Sequence, residues 1–142
     1  MNFSYYKKKT DYGAEPYAAD IEQLSARNTN FRTAIWTGQH LQTTIMCIPP
    51  YEDIGLEMHP DTDQLIRIEQ GHARIKMGKN RGLSDFQQEL RKGDVAFIPA
   101  GTWHNIINTD WIPIKVSSVY APPNHPEGTI HPTKADAEKE EY

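Results

Sequence analysis

The stretch Gly93-Asp94-Val95-Ala96-Phe97-Ile98-Pro99-Ala100-Gly101-Thr102-Trp103-His104-Asn105-Ile106-Ile107-Asn108 decides the fold. Gly93-Asp94 is a turn pair leading into Val95 to Ile98, a short run with strand chemistry, and Pro99-Ala100-Gly101 breaks that run and brings the chain round. His104 to Asn108 then reads as a second strand, which leaves His104 facing a cavity. Two strands joined by a Pro-Ala-Gly corner are the unit from which the remaining chain is read.

Upstream the same grammar repeats. Phe86 to Leu90 is a strand, and Gly78 to Asp85 is a polar, glycine-rich loop at a hairpin tip. It lacks Walker spacing and no helix pattern follows, which argues against a phosphate cradle. Ala73 to Met77 and Leu65 to Gln70 are strands around a turn at Gly71; Leu41 to Ile48 and Phe31 to Trp36 are strands around Thr37-Gly38-Gln39. Ala18 to Arg27 has good helix formers with Ile21 and Leu24 on one stripe, and Asn28-Thr29-Asn30 ends it. The residues before it read as an extended aromatic arm. Downstream, Ile112 to Tyr120 is the last strand, with Ile112, Ile114, Val116, Ser118 and Tyr120 sharing one face. Ala121 to Pro126 is too proline-rich for either element. Thr133 is placed to cap a short helix over Lys134 to Glu140, with Asp136 completing a capping box.

Many short strands, turns between them and little helix specify an all-β sandwich or closed barrel. At 142 residues the chain fits one domain. The expected parts are an arm and short helix over 1–30, a barrel over 31–121, and a tail with a short helix over 122–142.

Composition narrows the partners. A net charge of -4 with 24% charged residues gives no positive field for nucleic acid or anionic lipid. Lys7-Lys8-Lys9, the one basic run, is followed by Thr10-Asp11-Tyr12 and not by an apolar segment, and no stretch approaches the roughly 20 apolar residues of a membrane span. A cytoplasmic protein with neither nucleic acid nor membrane as partner is expected. The single Cys47 has no partner for an intramolecular disulfide, and its neighbours Ile45, Met46 and Ile48 mark it as a sheet residue, not a reactive thiol.

Within this frame Gly93, Pro99, Gly101, His104 and Asn108 match, at every fixed place, the second motif of the cupin superfamily: Gly, five residues, Pro, one residue, Gly, two residues, His, three residues, Asn. At average residue frequencies such a register arises at on the order of one in a few million start positions. The chain therefore resembles a small single-domain cupin, which implies a jelly-roll β-barrel, or double-stranded β-helix. The family's first motif, laid on this chain, puts Glu57 and His59 at its two histidine places, Gln64 at its glutamate place and Gly71 at its closing glycine, while its opening glycine falls on Tyr51. The spacing is kept and three identities are not.

The resemblance implies a metal site of Glu57, His59, Gln64 and His104. Residues 57 and 59, two apart on a strand, point to one face, and Pro60 to Asp63 forms the turn before Gln64 opens the next strand with Ile66 and Ile68 on its side. One carboxylate, two imidazoles and an amide oxygen carry the same charge as the family's usual three histidines and one glutamate. The set suits a divalent ion: iron, manganese, nickel, zinc or cobalt. Asp61 and Asp63 read as turn residues, and His40, His72, His125 and His131 as packed or surface histidines. Trp103, Met46, Arg67 and Tyr120 are candidates for the wall of a substrate pocket.

The function this implies is a metal-dependent enzyme that takes an oxygen-rich small molecule, such as a sugar, keto acid or hydroxy acid, through isomerisation or oxygenation, with Glu57 as ligand or as base. The alternative is a metal-assisted binding or sensor barrel without turnover. Exposed sheet edges and the aromatic arm (Phe3, Tyr5, Tyr6, Tyr12, Tyr17) point, together with the resemblance, to a homodimer.

Overall fold

A computed structural model describes residues 9–83 and 85–140. Phe3, Tyr5, Tyr6 and the Lys7-Lys8 pair of the expected arm lie outside them. Helix α1 (Ile21–Arg27) starts three residues later than its composition suggests, because the Asp20 backbone is extended and its carboxylate accepts from the Gln23 amide at 3.0 Å. The strands follow as β1 (Arg32–Thr37), β2 (Gln42–Ile48), β3 (Asp63–Gln70), β4 (His72–Gly78), β5 (Phe86–Arg91), β6 (Val95–Ile98), β7 (Trp103–Asn108), β8 (Ile114–Ala121) and β9 (Ile130–His131), and α2 (Lys134–Lys139) closes the order. Strand β8 begins after Pro113, which has no amide to give a ladder. The Thr133–Asp136 capping box forms at the start of α2.

Two antiparallel sheets make the jelly roll. One runs β6-β3-β8-β2-β1-β9 and the other β5-β4-β7. The corners are where the chain changes sheet. The turn at Gly71 carries it from β3 to β4, and Pro99-Ala100-Gly101 carries it from β6 to β7. Gly101 at that corner has φ +79, in the left-handed region where a side chain is strained. Ile48, Ile66, Ile68, Ile75, Ile106 and Ile114 meet between the sheets, each no more than 3% exposed. Outside, α1 covers β2, β3 and β8, so β8 is buried on both faces from Ile114 to Ser118.

One strand is absent from the sequence reading. The short β9 sits between Pro126 and Pro132 and pairs with β1, Arg32 opposite His131 and Thr33 opposite Ile130. Two residues cut off by Pro132 carry no strand period, yet this pairing sets one wall of the site. Among the described residues no helix is long and apolar enough to cross a membrane.

Candidate metal centre

The site is built where the chain leaves the larger sheet for the smaller one, at the corner between β6 and β7. Glu57 and His104 form an isolated antiparallel bridge: the Glu57 amide donates to the His104 carbonyl at 3.0 Å and the His104 amide donates back at 2.9 Å. Two residues on, the His59 carbonyl accepts from the Gly101 amide at 2.8 Å, and the Asp63 carboxylate accepts from the Ala100 amide at 2.9 Å. The turn of the first motif is thus laced to the corner of the second by one backbone carbonyl and one side-chain carboxylate. Asp63, a turn residue in the sequence reading, is also a tie between motifs.

These ties bring Glu57, His59 and His104 together, with donor atoms all within 4.8 Å of one another. Glu57 Oε2 lies 3.4 Å from His59 Nε2 and 3.7 Å from His104 Nε2. Two donors each about 2.1 Å from one ion at an angle near the tetrahedral value are about 3.4 Å apart, so the spacing fits a shared metal. His104 is fully buried, and its Nδ1 lies 3.0 Å from the Thr102 carbonyl. A carbonyl only accepts, so Nδ1 carries the hydrogen and Nε2 keeps its lone pair for the cluster. Neither Nε2 of His59 nor Nε2 of His104 has a hydrogen-bond partner. Buried ring nitrogens without partners are costly, and an ion satisfies both.

Gln64, the second residue of β3, lies opposite Ile98 on one side and Tyr120 on the other. The Ser118 hydroxyl donates to the Leu65 carbonyl at 3.2 Å and accepts from Gln64 Nε2 at 2.8 Å, which sets the amide so that Oε1 is left buried without a partner. An amide with its nitrogen engaged and its oxygen open has the polarity of a ligand.

A cation stands behind the carboxylate. Arg32 on β1 places Nη2 3.5 Å from Glu57 Oε1, and its Nη1 donates to His131 Nδ1 at 3.2 Å. His131 therefore carries its hydrogen on Nε2, which donates to the Glu140 carboxylate at 2.7 Å. Burial pushes the Glu57 carboxyl up, but the Arg32 guanidinium beside it favours the charged form, so the carboxyl lies well below the usual carboxylate range and is ionised. Tyr120, fully buried, is edge-on to His59 with ring centroids 5.8 Å apart, and burial raises its phenol so that it stays neutral.

A cavity of about 860 Å³ is lined by Glu57 and His59 of this cluster, by Arg32 and Trp103 and by residues of α2, while His104, Gln64 and Tyr120 are buried behind its lining. Trp103 lines the cavity, and Arg81 lies over its ring at 5.1 Å. The other expected wall residues sit elsewhere. Met46 is in the apolar core, 3% exposed. Arg67 is on the outer face of β3, opposite in alternation to Gln64, and pairs with Glu69 at 3.7 Å. Arg32 has no place in the sequence reading, and His125 and His131, read there as packed or surface histidines, also line the cavity. Arg32 alone had a signal there: a full charge inside an otherwise apolar and β-branched run.

A family model described as the cupin domain matches residues 44–120. The chain belongs to the cupin family. This cupin is 52% identical over 127 residues to the uncharacterized protein YrkC of Bacillus subtilis (strain 168), covering 89% of this chain and 68% of that one. It superposes on the crystal structure of BH2720 from Bacillus halodurans with a TM-score of 0.90 at 49% identity, covering 92% of this cupin and 99% of that chain. It is also similar to an oxalate decarboxylase of Lactobacillus farciminis solved as a formate complex, at 26% identity and a TM-score of 0.55, covering 61% of this chain and 25% of that one.

Proposed function

We propose that this cupin is a metal-dependent enzyme that binds an oxygen-rich small molecule, a sugar, keto acid or hydroxy acid, at a divalent ion and isomerises or oxygenates it. The observation that carries the reading is the cluster of Glu57, His59 and His104, whose two imidazole Nε2 atoms are buried and unpartnered beside an ionised carboxylate. These three residues would hold the ion, with the open Gln64 amide oxygen as the fourth ligand; iron, manganese, nickel, zinc and cobalt all suit such a set. When bound, the ion supplies Lewis acidity or a redox centre. The chain itself supplies a carboxylate kept charged by its neighbours, which serves as ligand or accepts a proton, and a cavity beside it with room for a small molecule. The resemblance to an oxalate decarboxylase supports an enzyme over a sensor, and the reading takes the protein as a cytoplasmic homodimer.

The test is elemental analysis of protein purified without added metal. Stoichiometric iron or manganese that disappears in His59→Ala and in His104→Ala supports the site, and folded protein that binds no metal overturns it. Oxygen consumption against diols and keto acids then divides oxygenation from isomerisation, and saturable binding without turnover returns the sensor. Light scattering that gives a concentration-independent monomer removes the homodimer.

A further inference from the structure

The wall of the cavity contains a guanidinium whose hydrogen-bonding edge is unused. Arg32 is 3% exposed. Its Nη1 is engaged by His131, and the Phe31 ring, 5.4 Å from Cζ, covers one face. Nε and Nη2 make no hydrogen bond. Those two nitrogens form one side of the planar guanidinium, where two parallel N–H groups match the spacing of two carboxylate oxygens. Glu57 does not fill this edge: its Oε1 stays 3.5 Å from Nη2, and its Oε2 is turned toward the two imidazoles. An arginine remains charged when buried, so dry donors without an acceptor are a standing cost unless the acceptor arrives with a ligand.

We propose that Arg32 is the carboxylate receptor of this site and that the substrate is a small α-oxo or α-hydroxy monocarboxylate and not a neutral sugar. The carboxylate would sit on the Nε–Nη2 edge, and the α-oxygen would face Glu57, His59 and His104; this second half rests on the metal reading above, while the first half does not. The remaining wall argues for a single carboxylate. Lys134, the other full cation among the lining residues, is taken by Asp53, and Glu138 and Glu140 stand on the α2 side, where a second carboxylate would be repelled. Ile54, Leu56 and Ala137 give the cavity an apolar share, and its size admits more than a three-carbon acid, so an apolar tail on the α-carbon fits.

Calorimetric titration of the protein, first stripped of metal and then loaded with manganese, uses three probes: pyruvate, phenylpyruvate and hydroxyacetone, the last a neutral analogue of pyruvate. Both forms of the wild type are expected to prefer pyruvate to hydroxyacetone by roughly tenfold, as a charge-assisted fork requires, with phenylpyruvate at least as tight as pyruvate. Arg32→Lys keeps a positive charge beside Glu57 but lacks the fork, and it is expected to lose most of that preference while retaining metal content and circular dichroism. Equal binding of pyruvate and hydroxyacetone by the wild type overturns the proposal, as does an undiminished preference in Arg32→Lys; if that variant does not fold, the wild-type ratio decides alone. A protein that binds no manganese but keeps an Arg32-dependent pyruvate preference removes the metal reading and leaves the receptor standing.

Discussion

Glu57 and His104 are joined amide to carbonyl in both directions, at 3.0 and 2.9 Å, and the same bridge places Glu57 Oε2 3.7 Å from His104 Nε2. The backbone, not the side chains, sets this ligand pair. Glu57→Gln should therefore leave the bridge intact and change only charge. In the metal-free protein the buried Arg32 loses its counter-ion, for an expected loss of about 3 kcal/mol in urea unfolding. Metal affinity should fall on the order of a hundredfold in a chelator competition, at least the loss typical of an orienting residue. Unchanged affinity would remove Glu57 from the ligand set.

Asn108, the last residue of the second motif, never touches the cluster. It is 1% exposed, and its Nδ2 reaches the carbonyls of Ile48, Pro49 and Ile112 at 3.1, 3.0 and 2.9 Å while its Oδ1 accepts from the Asp110 amide at 2.7 Å. One side chain thus closes the end of β2, the Pro49 turn and the approach to β8. Asn108→Ala leaves these buried carbonyls unpaired and should cost about 3 kcal/mol by chemical denaturation. Metal stoichiometry should be unchanged below the transition, which separates this residue from the ligands.

How much of this could be read from the chain depended on whether the constraint was local. The corner Pro99-Ala100-Gly101 and the strands on either side of it announce themselves because turn chemistry and strand period are properties of neighbouring residues. Glu57 and His59 were reachable because the spacing of the first motif survived the change of residue types. Arg32 and His131 were not, since what joins them is the pairing of β1 with a two-residue β9 that has no period of its own. Long-range register of this kind is decided by tertiary packing, and an Ile-His pair ended by a proline gives no local sign of it. Arg67 shows the converse: a charge beside the motif, turned outward by strand alternation.

Tyr51 stands where the first motif has its opening glycine, and its backbone lies in the left-handed region that favours glycine, with φ 60 and 71% of its surface exposed. A left-handed backbone costs a side-chain-bearing residue roughly 1–2 kcal/mol, part of which is offset by the freedom glycine loses on folding. With so little of the ring buried, Tyr51→Gly should stabilise the protein by about 0.5–1 kcal/mol. The measurement is the urea midpoint at constant m-value; a lower midpoint would show that the ring contributes more than the strain removes.

His125 gives the fold an acid-sensitive term. Burial first, and then the Arg32 guanidinium, push its imidazole down to about 3, whereas in the unfolded chain it titrates near 6.5. Between those values the unfolded chain binds one more proton than the folded one. Stability from this residue is therefore complete above about pH 6.5 and declines as pH falls, by up to about 1.4 kcal/mol per pH unit. The Glu57 carboxyl, held low in the fold, acts in the same direction but only below the ordinary carboxylate range near 4.5, so the interval from about pH 6.5 to 5 leaves that carboxyl out. Metal-free wild type should lose about 1–2 kcal/mol between pH 7 and pH 5, and His125→Gln, which has nothing to protonate at that position, should lose correspondingly less. Parallel losses in the two proteins would place the acid sensitivity elsewhere in the barrel.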